Sequence, residues 1–286
     1  MSGKAEIHAR GLGFPEGPVA LGDGSIAFVD LLHQKVRRFR DGKLSEICAL
    51  QGSPNGMRRG PDGALYVANN GGLAPISLEK IEALQPQITG RIQRISAEGT
   101  VSDLAVKLPG DGPWRPNDLV FTPRGDIVFT DPQNWEVLQD WSPDDPNSPY
   151  KGGRLLLTTR EGRVSQLAAM TGFPNGLVFH PDGSLLVGLT LEHRILRFPW
   201  KGAAVGEPEV WCRLDDKFAP DGMIIEGDRL YVAGSVGDRV AVIDLEGKVR
   251  DHIDTGPGSD PTNLCVAHGR LWVTLGLPGQ LVSFPL

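Results

Sequence analysis

The chain has little cysteine and no concentration of positive charge. Its three cysteines, Cys48, Cys212 and Cys265, are widely spaced, form no CxxC pair and have no histidine at metal-ligand spacing. This pattern argues against a cysteine-based metal site and predicts buried, reduced thiols. The formal net charge is −6, and no run of five or six basic residues occurs. The electrostatic footprint of a nucleic-acid-binding protein is therefore missing, and we expect no nucleic-acid partner.

Long apolar runs and the common catalytic motifs are also missing. No stretch approaches the ~18 apolar residues that span a bilayer, and the opening residues Met1 to Glu6 lack the apolar core of a signal peptide. We therefore expect a soluble, cytoplasmic protein with no membrane partner. The sequence has no Gly-x-Ser-x-Gly elbow, no His-Glu-x-x-His motif, no glycine-rich phosphate loop and no Rossmann fingerprint. The enzyme classes that depend on these motifs are excluded.

A short pattern that begins with proline recurs six times along the chain. In five copies, the residue directly after the proline carries a carbonyl or carboxyl group in its side chain. The copies are Pro15-Glu16-Gly17, Pro54-Asn55-Gly56, Pro116-Asn117-Asp118, Pro174-Asn175-Gly176, Pro220-Asp221-Gly222 and Pro261-Thr262-Asn263. The pattern is kept in all six copies while the polar residue after the proline, here called the tip, changes. Such a repeat indicates equivalent structural units with chemistry at the tips.

The repeat predicts a β-propeller. Each copy is followed by two short apolar runs with a turn between them, as in Leu177 to His180, Pro181 to Gly183 and Ser184 to Val187, which is typical of a hairpin. Successive prolines are 39, 62, 58, 46 and 41 residues apart, and the shorter spacings match a propeller blade of ~40 to 50 residues. We predict an all-β, six-bladed β-propeller of four-stranded antiparallel blades around a central channel, with residues 1–286 in one domain.

The two ends of the chain are predicted to share one blade. Gln280 to Phe284 and Ile7 to Leu12 have strand character and would complete the ring together. Sharing a blade would remove the exposed sheet edges that a closed ring must avoid.

Two inserts exceed the blade length. They lie near 71–87 and 133–153, and loops this long are usually functional. We predict lid-like inserts, and in the second one Trp135 or Trp141 would either close over a ligand or pack against the rim. Leu78 to Leu84, within the first insert, is the one segment that favours a turn or two of helix.

All six tips are predicted to meet at one end of the channel, because each pattern starts the innermost strand of its blade. These residues are Glu16, Asn55, Asn117, Asn175, Asp221 and Thr262 or Asn263. They supply oxygen donors and two formal negative charges, which suit Ca²⁺ better than Zn²⁺, with Mg²⁺ and Mn²⁺ as alternatives. The return strands end at the same face, which predicts a second, wider ring of Asp30, Asn69, Asp131, Leu189, Gly234 and Leu275.

Two other interpretations of the tips stay open. Any single Pro-Asn-Gly or Pro-Asp-Gly copy is also typical of a turn, since these side chains hydrogen-bond their own backbone. A buried ring with two carboxylates, however, needs a cation or a strong partner. Arg115 could be that partner in place of a metal ion. It could equally form an ion pair with Asp118 or Asp131.

Five motifs in order along the chain carry a family resemblance. They are Gly13 to Pro18, Arg115 to Asp118, Phe129 to Pro132, Gly172 to Leu177 and Ala219 to Met223. In these motifs the sequence resembles the regucalcin (senescence marker protein 30), gluconolactonase and luciferin-regenerating group of calcium-dependent hydrolases, and the resemblance covers nearly the whole chain. It departs from gluconolactonases after Asp131-Pro132, where Gln133-Asn134-Trp135 stands in place of their usual Pro-Tyr-Gly.

The resemblance implies roles for particular residues. The family's metal is held by the Glu of the first motif, the Asn of Phe-Pro-Asn-Gly and the Asp of Pro-Asp-Gly, which implies Glu16, Asn175 and Asp221. The Arg and Asn of the Arg-x-Asn-Asp segment face the substrate, which implies Arg115 and Asn117. Related calcium phosphotriesterases use the Asn equivalent to Asn117 as a fourth metal ligand. The Asp of Pro-Asp-Gly, here Asp221, is commonly proposed as base or nucleophile.

We therefore hypothesise that the protein is a metal-dependent lactonase. Its substrate would be a small molecule, a sugar-type lactone, whose ring it opens. One divalent cation, Ca²⁺ first with Zn²⁺, Mn²⁺ and Mg²⁺ as alternatives, would polarise the ring carbonyl for attack by water. Asp221 would be the catalytic base, or would only orient a hydroxide that the cation generates. Asp131 would bind substrate or orient a ligand from behind.

Two rival functions use the same site. In one, the substrate is a phosphotriester whose phosphoryl oxygen takes the place of the lactone carbonyl. In the other, the protein is a calcium-stabilised propeller that does no chemistry and binds a protein partner at its rim. A monomer and a small homo-oligomer are both compatible with the sequence.

Overall fold

The structure confirms the all-β propeller. A computed structural model of the chain describes residues 5–77, 80–110, 114–133, 150 and 152–286, and within them it has 26 strands and no helix. Six four-stranded antiparallel sheets stand around one axis. The innermost strand of each sheet contacts the innermost strands of both neighbours, which closes the ring. Nothing in the described part of the chain is a helix long and apolar enough to cross a membrane.

The blades are meanders that run from the channel outward, except that the first strand of the chain, β1 (Glu6–Ala9), belongs to the last blade. Blade 1 contains β2 (Pro15–Ala20), β3 (Ile26–Asp30), β4 (Lys35–Arg40) and β5 (Lys43–Ala49). Blade 2 contains β6 (Pro54–Arg59), β7 (Leu65–Asn69), then an extra hairpin of β8 (Leu73–Ser77) and β9 (Lys80–Ala83), then β10 (Arg91–Ile95) and β11 (Val101–Ala105). Blade 3 contains β12 (Leu119–Phe121), β13 (Ile127–Asp131), β14 (Gly153–Thr158) and β15 (Val164–Met170).

The second half of the ring repeats this order. Blade 4 contains β16 (Pro174–Phe179), β17 (Leu185–Leu189), β18 (Arg194–Phe198) and β19 (Glu209–Arg213). Blade 5 contains β20 (Pro220–Glu226), β21 (Arg229–Gly234), β22 (Arg239–Asp244) and β23 (Val249–Asp254). Blade 6 contains β24 (Pro261–Ala267), β25 (Arg270–Leu275) and β26 (Gln280–Pro285), with β1 as its outermost strand.

The hydrophobic core lies between the blades. Buried clusters fill the gap between each blade and the next, all the way round the ring. Successive side chains of a strand point to opposite faces, so Val128 packs toward blade 4 while its neighbour Phe129 packs toward blade 2. Strands near the axis are therefore buried on both faces, and the outermost strands are largely exposed, as β3 and β5 show. Each blade depends on its neighbours to bury its apolar surface.

Blade 6 is completed by the first strand of the chain, as predicted. β1 pairs antiparallel with β26, with Glu6 opposite Ser283 and Ile7 opposite Val282. The backbone N–H of Leu12 also donates to the Gly279 carbonyl at 3.0 Å. The two ends of the chain therefore hold blade 6 against blade 1.

The first insert contains a hairpin, and the helical turns predicted at Leu78–Leu84 are wrong. β8 and β9 pair antiparallel, with Leu73 opposite Ala83; residues 78 and 79 lie outside the described residues. The segment is rich in helix formers, but seven residues are too few for a stable isolated helix, and β8 supplies backbone partners instead. Leu73 is buried against Tyr150 and Phe173 of blades 3 and 4. Because Phe173 directly precedes the blade 4 tip, the hairpin lies at the site end of the channel.

The second insert, near 133–153, falls mostly outside the described residues, and so do Trp135 and Trp141. The lid-like role of both inserts stays a prediction.

The cysteines are free thiols, as predicted. Cys212 and Cys265 are buried and Cys48 is partly buried. Burial raises the pKa of all three thiols above the ordinary value. They therefore stay protonated at neutral pH and serve as small apolar packing groups.

Candidate functional site

Five of the six tips have a local irregularity that redirects the side chain. In blades 1, 2, 4, 5 and 6, the register between the innermost strand and its partner shifts just after the proline, in blade 1 between Glu16 and Val19. A β-bulge of this kind adds a residue to one strand and turns its side chain away from the regular alternation. Gly17 has a φ of 50°, a left-handed value that favours glycine. The bulges bring the residues after the prolines to the channel mouth.

Glycine after the tip residue lets neighbouring blades approach closely. A Cβ atom on Gly176 would lie 2.1 Å from the carbonyl oxygen of Asp221 in the next blade. The backbone N–H of Gly56 donates to the Asn117 carbonyl of the next blade at 2.7 Å. At Gly176 and Gly56, glycine is required because the backbone of the next blade occupies the space of a side chain.

Two copies lack this glycine, and their side chains meet across the channel. Blade 3 has Asp118 and blade 6 has Asn263 at the third position. These blades face each other in a ring of six, and Asn263 Nδ2 donates to Asp118 Oδ2 at 3.4 Å. The adjacent glycines make room for them, since a Cβ atom on Gly56 would lie 2.3 Å from Asp118 Oδ1 and one on Gly222 would lie 2.1 Å from Asn263 Cγ.

Threonine hydroxyl groups fasten the tips to the preceding blade. In each case the hydroxyl belongs to one blade and the carbonyl to the tip of the next. The three bonds are Thr130 Oγ1 to the Asn175 carbonyl at 2.9 Å, Thr190 Oγ1 to the Pro220 carbonyl at 2.8 Å and Thr262 Oγ1 to the Pro15 carbonyl at 2.8 Å. Since Thr262 forms this link, Asn263 is the blade 6 residue whose side chain enters the channel, which settles the choice that the sequence left open.

Three buried carboxylates, those of Glu16, Asp118 and Asp221, converge on the channel from blades 1, 3 and 5. Each residue is at most 8% exposed. Burial, followed by repulsion from Asp118, raises the pKa of Glu16 to about 8. Burial, followed by repulsion from Glu16, raises the pKa of Asp221 well above its ordinary value. The side-chain amides of Asn175 and Asn263 oppose these rises, because Asn175 lowers the pKa of Asp221 and Asn263 lowers that of Glu16.

Arg58 supplies a positive charge that the sequence did not reveal. It lies on β6 in blade 2, and its Nη2 is 3.0 Å from Asp118 Oδ2. Burial raises the pKa of Asp118, and Arg58 opposes that rise. Neither Glu16 nor Asp221 forms a salt bridge with any residue that the structure describes. Glu16 and Asp221 therefore have no guanidinium of their own among the described residues, and burial and repulsion from neighbouring carboxylates raise the pKa of both.

Arg115 and Asp131 form a separate group at the blade 3 tip. The Asp131 carboxylate accepts hydrogen bonds from the Arg115 backbone N–H at 2.7 Å and from Nε and Nη2 of Arg154 at 2.9 and 2.8 Å. Arg115 Nη1 donates to the Asn70 carbonyl of blade 2 at 3.0 Å. Asp118 and Asp131 were the two candidate ion-pair partners of Arg115. Each pairs with a different arginine: Asp118 with Arg58, and Asp131 with Arg154.

The wider ring holds the tips in place. The return strands end where predicted, at Asp30, Asn69, Asp131, Leu189, Gly234 and Leu275. Its three polar members each accept a hydrogen bond from a backbone N–H just before a tip proline. The bonds are Gly13 to Asp30 at 2.8 Å, Ser53 to Asn69 at 3.0 Å and Arg115 to Asp131 at 2.7 Å.

The oxygen donors fit a hard divalent cation. The structure brings Glu16, Asn175 and Asp221 to one end of the channel, and Asn55 and Asn117 are buried in the same ring of tips at 4% exposure. Among the described residues, no three His, Cys, Asp or Glu side chains form a metal-binding group by themselves, so amide oxygens would have to complete the set. The tips carry no Cys or His. Buried carboxylate and amide oxygens in excess over positive charge match Ca²⁺ better than Zn²⁺.

Comparison with known sequences points to one family. The profile of the SMP-30/Gluconolactonase/LRE-like region matches residues 14–276. A curated gluconolactonase from Zymomonas mobilis subsp. mobilis is 30% identical over 132 residues, which make up 46% of this chain and 32% of that protein. The match therefore spans about a third of that relative.

Solved structures share the fold along the whole chain. A gluconolactonase from Xanthomonas campestris has a TM-score of 0.78 and 23% identity, over 99% of this chain and 90% of that one. A calcium-binding regucalcin from Agrobacterium tumefaciens strain C58 has a TM-score of 0.76 and 18% identity, over 99% of this chain and 94% of that one. At these identities the likeness shows the fold alone.

Proposed function

Since the chain belongs to the SMP-30/gluconolactonase/LRE-like family, we propose that it is a hydrolase that opens a sugar-type lactone with one divalent cation at the channel mouth. The observation that carries this proposal is the pair of buried carboxylates, Glu16 and Asp221, which repel each other while the nearby guanidinium is held by Asp118. Two buried carboxylates in this position are unfavourable without a positive ligand. A cation would remove that cost.

Glu16, Asn175 and Asp221 would hold the cation, with Asn117 as a fourth ligand. Ca²⁺ suits these oxygens best, and Zn²⁺, Mn²⁺ and Mg²⁺ are the alternatives to test. When bound, the cation supplies a Lewis acid for the lactone carbonyl. The regucalcin that shares this fold is described as calcium-binding, which supports testing Ca²⁺ first.

Asp221 is proposed as the catalytic base. During hydrolysis, water adds to the carbonyl carbon, the ring carbon–oxygen bond breaks, and the ring oxygen leaves as a hydroxyl group after it takes a proton. Asp221 would receive the proton that the water loses. The amide of Asn175 acts on the Asp221 carboxylate and lowers its pKa, and this interaction would help to keep the carboxylate in one orientation during the reaction.

Arg115 and Asn117 would bind oxygen atoms of the substrate. The Arg115 side chain is anchored by its bond to the Asn70 carbonyl, and its backbone is fixed by Asp131. Both oxygens of Asp131 already accept hydrogen bonds, from Arg115 and Arg154. We therefore assign Asp131 a positioning role that acts through Arg115.

The test is hydrolysis of aldonolactones, followed by pH-stat, with EDTA-stripped protein and each cation added back. We expect no turnover without a cation and recovery with Ca²⁺. Glu16→Gln should weaken cation binding in calorimetry, and Asp221→Asn should abolish turnover. Asp254→Asn, which changes an exposed acid on blade 5, is the control and should behave like the wild type. Equal rates in the stripped and the loaded protein would refute the role of the cation.

The same assay separates the rival functions. Turnover of a fluorophosphate without turnover of any lactone would indicate a phosphotriesterase. A melting temperature that falls on chelation, with neither substrate hydrolysed, would indicate the calcium-stabilised propeller that binds a protein partner. The cytoplasmic location and the oligomeric state stay predictions.

A further inference from the structure

Asp260 occupies the same place in blade 6 that Arg115 occupies in blade 3. Each directly precedes the proline that starts the repeated pattern. At the six equivalent positions these two residues alone are charged; the positions are Phe14, Ser53, Arg115, Phe173, Ala219 and Asp260. Because blades 3 and 6 face each other across the ring, the negatively charged Asp260 and the positively charged Arg115 start from opposite sides of the channel mouth.

The carboxylate of Asp260 is buried and has an unused oxygen. The residue is 5% exposed, and its Oδ1 accepts no hydrogen bond from any residue that the structure describes. Burial, followed by the nearby Asp238 carboxylate, raises the pKa of Asp260 to about 6. A buried carboxylate oxygen without a donor lowers stability. Such a group calls for an explanation, and one explanation is a partner that the protein chain itself does not supply.

The backbone around Asp260 is held on both sides. The Asp238 carboxylate accepts hydrogen bonds from the N–H groups of Gly258 at 2.8 Å, Ser259 at 2.9 Å and Asp260 at 3.3 Å. The Asp260 carbonyl accepts a hydrogen bond from the Gly276 N–H at 2.8 Å. The φ of Asp260 is 46°, a left-handed value that L-residues seldom adopt outside functional sites and turns. The loop therefore presents the carboxylate in a fixed position.

Asp260 lies at the same end of the channel as the proposed catalytic base, since each stands at the start of the innermost strand of its blade. Its charge raises the pKa of Asp221, after burial and Glu16. An atom at the Cβ position of Gly276 would lie 2.9 Å from Asp260 Oδ2 and 2.6 Å from the Phe14 ring. The Asp260 carboxylate and the Phe14 ring therefore both border Gly276, at the seam between blades 6 and 1.

We infer that Asp260 is a specificity-determining residue that accepts a hydrogen bond from a hydroxyl group of the substrate, on the side of the pocket opposite Arg115. This inference rests on the proposed lactonase function and deepens it. A hydroxyl group gives a carboxylate a strong, charge-assisted hydrogen bond. A lactone without hydroxyl groups leaves the buried acid without a donor, so the pocket favours polyhydroxylated lactones over plain alkyl lactones.

The experiment compares two six-membered lactones, glucono-δ-lactone and δ-valerolactone, which has no hydroxyl group. Asp260→Gly removes the acid and accepts the left-handed backbone without strain, and Asp260→Asn keeps the shape but removes the charge. For Asp260→Gly we expect kcat/KM for glucono-δ-lactone to fall roughly 10- to 100-fold, the loss of one charged hydrogen bond. We expect a smaller fall for Asp260→Asn, and no selective fall for δ-valerolactone in either variant. Asp254→Asn, six residues earlier and exposed, is the matched control.

The outcomes separate the inference from the function on which it rests. Unchanged kcat/KM for glucono-δ-lactone in Asp260→Gly would overturn the inference, and so would an equal loss on both lactones, because that loss would mean a role in the chemistry itself. A wild-type protein that opens neither lactone would overturn the proposed function and the inference with it. Melting temperature is the second readout. We expect Asp260→Gly to melt no lower than the wild type, because the variant loses a buried, unpaired charge.

Discussion

Alanine in place of Gly176 tests whether the tips are packed as closely as the structure indicates. The new Cβ atom would stand 2.1 Å from the Asp221 carbonyl oxygen and 2.9 Å from the Gly222 Cα. Both are backbone atoms, which cannot rotate away, so blade 4 and blade 5 must separate. Overpacking of this kind costs about 1 to 3 kcal/mol.

The matched control is Gly188→Ala, on the neighbouring strand of blade 4. A Cβ atom there meets nothing closer than 3.5 Å, and both substitutions stiffen the unfolded chain equally. The difference between the two variants therefore isolates the clash. At about 2 to 4 °C per kcal/mol for a domain of comparable size, Gly176→Ala should melt roughly 2 to 12 °C below Gly188→Ala.

Thermal melts in EDTA measure this difference, and Ca²⁺ titration by calorimetry measures its effect on the site. Gly176 lies between Asn175 and the Asp221 backbone, so the variant should also bind the cation more weakly than Gly188→Ala does. Equal melting temperatures and equal affinities for the two variants would refute the close approach of the blades and, with it, our account of how the ligands converge.

Three further predictions concern charge and hydrogen bonding at the tips. In the metal-free fold the pKa is raised to about 6 for Asp260 and to about 8 for Glu16. Below about pH 4, the ordinary pKa of these acids in the unfolded chain, both groups are neutral in the folded and the unfolded protein, and their contribution to stability is fully present. That stabilisation is lost as pH rises through 6 and 8, so the EDTA-treated protein should melt at progressively lower temperature from pH 5 to 8.5, and Ca²⁺ should reduce the decline. Arg58→Met leaves Asp118 buried without its partner and should destabilise the protein by about 3 kcal/mol in urea unfolding, whereas adding Asp118→Asn should restore part of that loss. Thr130→Val removes the hydroxyl bond to the next blade and should cost about 1 kcal/mol in the same assay.

Each of these predictions has a control. A melting temperature that rises with pH in EDTA would contradict the raised pKa values. Arg94→Met breaks a pair whose members, Arg94 and Asp62, are both about 40% exposed, and it should cost less than about 1 kcal/mol; a cost equal to that of Arg58→Met would contradict the buried ion pair. If Thr130→Val unfolds at the wild-type urea concentration, the hydroxyl link contributes nothing.

The fold was predictable because its signals are local. The Pro-Asp-Gly turns and the apolar runs on either side of them, as at Leu177 to Val187, determine hairpins without reference to the rest of the chain. The helix expected at Leu78–Leu84 was wrong for the converse reason, since a pairing with β8 overrode a local propensity. The closure of blade 6 by β1 followed from the need to pair a sheet edge rather than from any motif.

The site was predictable as a set of positions but not as a set of contacts. The frame shared by the six copies places Glu16, Asn175 and Asp221 at one end of the channel. Nothing in the frame shows that Arg58 reaches Asp118, because the two are 60 residues apart and in different blades. Asp118 and Asn263 did carry a signal, since they replace a glycine that the other copies keep. The position of Asp260 before a tip proline was a further signal, in that it matches the position of Arg115.

The pairing of β1 with β26 has a consequence for folding. Contacts between residues such as Glu6 and Ser283 span almost the full chain, and long-range contacts of this kind form slowly. During synthesis, the earlier blades can assemble on one another as they emerge, but the link from Thr262 to Pro15 must wait for blade 6, which begins at Pro261. A nascent chain stalled before blade 6 would therefore carry Glu16, Asn175 and Asp221 but would lack the bond that fixes the blade 1 tip to the last blade.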